Sequence, residues 1–125
     1  MYKRQDQVIL IYNPLGRRDE ALERAAKLFS GTGFKTYTID GMEIRGLASL
    51  EYHEAIRLIR EGHVGLIVTT GYTPEKDYGI RRAGADFNTP LVLDSWLGEL
   101  LAQAIASLSP GDLGARELRD YYLGA

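Results

Sequence analysis

Two apolar runs, 8-VILIY-12 and 64-VGLIVTT-70, constrain this chain more than any other feature. Neither alternates apolar with polar residues, so a strand made from either must be covered on both faces. That demands a parallel sheet between helices, and the intervening sequence supplies them. After the turn residues 13-NPLG-16, residues 19–30 carry Leu22, Ala25, Ala26 and Phe29 at helical spacing, with acidic residues in the first turn and glycines at 31 and 33 as a stop. Residues 34–39 alternate and end at Asp40-Gly41, which predicts a second strand. The piece 42-MEIRGL-47 reads either as a short edge strand or as a loop. Between Ser49 and Glu61, the residues Tyr52, Ala55, Ile56 and Ile59 predict a second amphipathic helix, closed by Gly62.

Beyond the run at 64–70, the turn 71-GYTPEKD-77 leads to a third helix over 78–87, weakened by Gly79 and Gly84, each costing about 1 kcal/mol against alanine. A short strand follows at 90–95. Leu97, Leu100, Leu101, Ala104, Ile105 and Leu108 then define a last helix that stops before Pro110-Gly111. The tail 112–125 carries a further small apolar pattern in Leu113, Leu118 and Tyr121 or Tyr122 that would pack back on the body. Strands and helices therefore alternate four or five times. The expectation is a single three-layer α/β domain with a mainly parallel sheet of four or five strands.

Composition narrows the function classes. At 125 residues and net charge −2, the chain has one core's worth of sequence and no global field to attract nucleic acid or an anionic membrane. It contains no cysteine, which excludes disulfides and thiolate chemistry and fits a reducing, cytoplasmic setting. No apolar run approaches the length of a membrane helix. The first five residues, MYKRQ, match a translated sequencing-adapter end; they are either such a remnant or a short basic arm. Fold reasoning therefore starts at Asp6, and residues 6–125 form the expected domain.

In an open parallel sheet, ligands bind beyond the carboxyl ends of the strands. That rule nominates the loops Asn13 to Arg18, Asp40 to Gly46, Thr69 to Asp77, and Asp94 to Trp96. Thr69 and Thr70 offer hydroxyls, Gly71 lets a backbone amide approach, and Arg17 and Arg18 can supply charge-assisted bonds, together a seat for a phosphate or carboxylate. Strand-end threonines, a turn glycine and solvated arginines explain the same residues without a ligand. Asp40, Asp77 and Asp94 are explained equally by helix capping and by catalysis. His53 and His63 are read as surface or packing residues, and no metal-ligand spacing or Gly-rich nucleotide loop occurs. No cofactor, metal or catalytic residue is expected. Arg81 and Arg82 point about 100 degrees apart on a helix, so one of them should pair with an acidic neighbour rather than both meeting one ligand.

With these residues located, the chain resembles the methylglyoxal-synthase-like domain that ends carbamoyl-phosphate synthetase large chains. In that family a buried strand closes in Asn-Thr-Thr, a turn reaches an acidic residue, a hydrophobic-Arg-Arg-small-Ala helix follows, and then a short strand. The counterparts here are 66-LIVTTG-71, Asp77, 80-IRRAGA-85 and 90-PLVLDS-95. Residues 8-VILIYN-13, 25-AAKLFSGTGF-34 and 113-LGARELRDYY-122 are similar to the family as well.

The resemblance implies a flavodoxin-like domain without catalysis of its own. It would sense a small phosphorylated effector, such as a pyrimidine or purine nucleotide, on behalf of a ligase serving pyrimidine and arginine synthesis. The remainder of the large chain would be its partner. Carried over by position, Arg18, Thr69, Thr70 and Gly71 would hold the effector phosphate. Val68 stands where the family has asparagine, Ile39 and Met42 where it has threonines, and the segment for the third strand and its lysine is shortened to residues 42–52. These departures imply either a different effector or a degenerate site in a structural or oligomerising domain. The enzymatic relative, methylglyoxal synthase, needs a carboxylate base beside a phosphate seat. Its Gly-Gly-Asp is missing here, so lyase activity is not expected.

Overall fold

The computed structural model describes residues 7–15, 17–40, 42–70 and 74–107. In chain order the elements are β1 (Val8–Tyr12), α1 (Glu20–Ser30), β2 (Lys35–Ile39), β3 (Ala48–Leu50), α2 (Tyr52–Arg60), β4 (Val64–Thr69), α3 (Pro74–Asp86), β5 (Leu91–Val92) and α4 (Ser95–Ala106). The strands form one sheet in the order β3-β2-β1-β4-β5, every pair parallel. As the unbroken apolar runs demanded, β1 and β4 are the central strands and are buried along their whole length.

Helices cover both faces, giving a three-layer, flavodoxin-like α/β fold. On one face Ile9, Ile11, Leu66, Val68 and Val92 meet Leu22 and Phe29 of α1 and Leu101 and Ile105 of α4. On the other, Leu10, Tyr12, Ile67 and Ile39 meet Ala55 and Ile59 of α2 and Ile80 and Ala83 of α3. Strand β4 manages both sets through a bulge. Val8 pairs with Val64 but Ile9 pairs with Leu66, so Gly65 is the extra residue, and Val64 and Ile67 share a face although three residues apart.

Several boundaries differ from those the sequence predicts, each for an identifiable reason. Residues 42–47 are a loop, and the edge strand is Ala48–Leu50, partly where the second helix was expected to begin. The helix begins only at Tyr52, whose amide donates to Asp40 Oδ1 at 2.9 Å. Asp40 sits in the left-handed region at φ 46, a conformation aspartate tolerates better than most residues. The shortened segment thus keeps its strand and lacks a crossover helix. Ile44 is buried in its stead, with Met42 and Leu47 packed against the α1/α4 core.

Helix α3 starts at Pro74, four residues earlier than expected, with proline at the first helical position where its missing N–H costs nothing. Strand β5 is only Leu91–Val92, because Asp94 Oδ1 accepts from the Leu97 amide at 3.0 Å and turns the chain into α4. The predicted helix residue Leu108, the stop at Pro110-Gly111 and the tail 112–125 lie outside the described residues, as does the segment 1–5.

Candidate functional site

Strand order reverses beside β1: the chain leaves it toward β2, and later returns to its other side as β4. The loops after these strands therefore diverge and open a crevice. In the first loop Asn13 acts as a brace. Its Oδ1 accepts from the Leu15 amide at 3.0 Å, and its Nδ2 donates to the Arg17 carbonyl at 2.8 Å. Arg17 and Arg18 are thereby presented to solvent just before Asp19, which caps α1 by accepting from the Leu22 amide at 3.0 Å.

A cleft of about 420 Å³ lies between the loops after β1 and β2, lined by Asn13, Arg17, Arg18, Glu23, Asp40, Met42 and Glu43. Its charges are mixed. Arg18 reaches into the first turn of α1 and forks Glu23, with Nε at 2.9 Å and Nη2 at 2.8 Å from the two carboxylate oxygens. That hydrogen bond, more than the accompanying Coulomb attraction, raises the Arg18 pKa and lowers that of Glu23. Arg17 has no carboxylate partner among the described residues.

The sequence-predicted threonines stand on the opposite side of β1. Thr69, fully buried, pairs in the ladder with Tyr12. Thr70 follows it off the strand, and its Oγ1 is buried with no hydrogen-bond partner among the described residues. A buried hydroxyl left unpartnered costs about 1–3 kcal/mol. Gly71 lies outside the described residues. Of the predicted set, then, Arg18 lines the cleft, whereas Thr69 and Thr70 lie at the end of β4 on the far side of β1 and do not line it. Sequence reasoning nominated both cleft loops but did not assign Glu23, Asp40 and Glu43 to the site.

The remaining candidates serve the fold. Asp40 and Asp94 cap α2 and α4. Arg82 donates to Asp86 Oδ2 at 3.1 Å and to Tyr78 Oη at 3.2 Å along the exposed side of α3, the pairing expected of one arginine of the two. Arg81 is half-buried and likewise engaged. His53 is exposed, and His63 lies 3.7 Å from Glu61. Among the described residues no cluster of histidines and carboxylates could hold a metal, and no helix is long and apolar enough to cross a membrane.

Helices α1 and α4 are bound to one another by polar as well as apolar contacts. The second carboxylate oxygen of Asp19 accepts from Ser95 Oγ at the start of α4. One helical turn further on, Arg24 forks Glu99, whose side chain is only 11% exposed. Two N-termini near the carboxyl edge of the sheet are thus held in fixed relation.

No family model matches the chain, and no solved structure matches it significantly. Curated proteins do match. The carbamoyl phosphate synthase large chain of Hyperthermus butylicus is 45% identical over 115 residues, covering 92% of this chain and 11% of its own length. Those of Pyrococcus furiosus and Sulfolobus acidocaldarius are 41% and 31% identical, covering 82% and 96% of this chain. The chain spans about a tenth of the length of these relatives. With the parallel three-layer fold, the matches identify it as a homologue of the C-terminal methylglyoxal-synthase-like domain of carbamoyl phosphate synthase large chains.

Proposed function

We propose that this chain is the effector-binding regulatory domain of a cytoplasmic carbamoyl phosphate synthase large chain, with no catalysis of its own. It takes a small phosphorylated molecule at the carboxyl ends of β1, β2 and β4. The observation that carries this reading is the cleft itself, where two guanidinium groups stand on a braced loop at the point of strand-order reversal. Arg17 offers donors to an anion directly. Arg18, itself largely exposed, can exchange its half-buried carboxylate partner Glu23 for a phosphate, which accepts the same forked pair of hydrogen bonds. The Thr70 hydroxyl, without a partner among the described residues, supplies a donor on the β4 side. Thr69 and Gly71 are assigned to the seat only by the family resemblance, Thr69 being fully buried and Gly71 lying outside the described residues.

The acidic lining selects among phosphorylated ligands. Glu23, Asp40 and Glu43 repel a polyphosphate and accept from hydroxyl and amino groups, which suits a nucleoside monophosphate. Isothermal titration with uridine monophosphate, inosine monophosphate and inorganic phosphate tests this. We expect saturable nucleotide binding, weakened about fivefold in Thr70→Val by loss of one neutral hydrogen bond. Silence with all three ligands would sink the proposal. It would leave the second reading, a structural domain with a degenerate seat, which the Arg18–Glu23 fork favours.

A further inference from the structure

We propose that the apolar strip formed by Leu93, Trp96, Leu97 and Leu100 is the face by which this domain docks on the rest of its large chain. The four side chains are 42%, 68%, 50% and 44% exposed. Leu93 leaves the edge strand β5, Trp96 and Leu97 lie in the first turn of α4, and Leu100 follows one turn later on the same side. The opposite side of α4 is fully used: Gly98, Leu101, Ala102 and Ile105 are buried toward α1 and the sheet.

Among the described residues the carboxylates beside the strip are engaged elsewhere. Asp94 is occupied capping the Leu97 amide, and Glu99 is turned inward to Arg24. A tryptophan flanked by leucines, with nearby carboxylates already satisfied, has the composition of an interface centre, where tryptophan is the most enriched anchor. Trp96 is the only tryptophan in the chain. The occupant follows from length. The matched relatives continue for most of their sequence outside the matched segment, so in those proteins the domain has a covalently attached body to cover such a face.

This inference rests on the reading of the chain as one domain of a large chain, and does not require the effector seat to function. Hydroxyl-radical footprinting reads it side chain by side chain. The free 125-residue protein would be compared with a full-length large chain in which it replaces the matching segment of the Hyperthermus butylicus protein. Oxidation of Trp96 and of the 93–100 peptide is expected to be strong in the free protein and lost in the full-length chain. Leu100→Lys in the full-length chain is expected to restore Trp96 oxidation. Nucleotide titration of Leu100→Lys in the free 125-residue protein, where there is no docked body, would stay unchanged, which separates a failed docking face from a failed effector seat. Equal oxidation in both forms would overturn the proposal. So would protection that appears in the free protein as its concentration rises, because the strip would then join two copies.

Discussion

Residue by residue, the candidate seat is a competition between anions. Glu23 already occupies the fork of Arg18 that a phosphate would use. Glu23→Gln removes that competitor and one repulsive charge from the cleft, so nucleotide affinity should rise several-fold; an unchanged or weaker affinity would show that Arg18 takes no part. The pH dependence has a definite sign. Because Arg18 depresses the Glu23 pKa, the pair contributes fully above the ordinary carboxylate range and is lost as pH falls through the depressed value. The difference between wild type and Glu23→Gln should therefore narrow on acidification. None of this was legible in the sequence. Glu23 reads there as one of several acidic residues opening a helix, and only the loop braced by Asn13 turns Arg18 back toward it.

At the scale of elements, the strands were legible because their chemistry is extreme. VILIY and VGLIVT admit no exposed face, so their central positions follow from composition alone. The weaker elements were placed by contacts the sequence does not display. Strand β3 has two exposed residues in three and owes its existence to pairing with β2. Helix α3 tolerates its glycines because they allow close approach. A side chain at Gly79 would meet the Tyr52 hydroxyl, which accepts from the Ile80 amide at 3.1 Å, and one at Gly84 would crowd Leu91 and Ile67. Gly98 in α4 is the strictest case, since an added Cβ would lie 2.6 Å from Val68 Cγ1, a fully buried atom group in β4. Gly98→Ala gains about 1 kcal/mol of helix propensity, yet should destabilise the protein by roughly 1–3 kcal/mol through overpacking. Chemical denaturation would check this; a stabilised variant would mean that α4 shifts freely over the sheet.

For the molecule as a whole, ion pairs differ in what they hold. Arg82 and Asp86 span one turn of a single exposed helix, whereas Arg24 and Glu99 join two helices with the carboxylate nearly out of solvent. Arg24→Ala strands that carboxylate and should lower the melting temperature clearly, while Arg82→Ala should leave it almost unchanged. The Arg24 hydrogen bond lowers the Glu99 pKa against the opposing effect of desolvation. Stability carried by Glu99 is thus present above its unfolded pKa and fades as pH falls through the folded one, so the two variants should converge in acid. Equal melting shifts at neutral pH would refute the distinction. The resemblance read from the sequence and the curated relatives agree on the family, and the segment matched is about a tenth of those relatives' length.

The Asp19 carboxylate serves two masters, capping α1 with one oxygen and receiving Ser95 with the other. Arg18 is its immediate neighbour in sequence on one side of this joint, and Trp96 is the neighbour of Ser95 on the other. Such a shared hinge pin obeys reciprocity: if seating a phosphate by Arg18 alters how firmly Trp96 is held against another domain, burying Trp96 must alter the grip on the phosphate by the same factor.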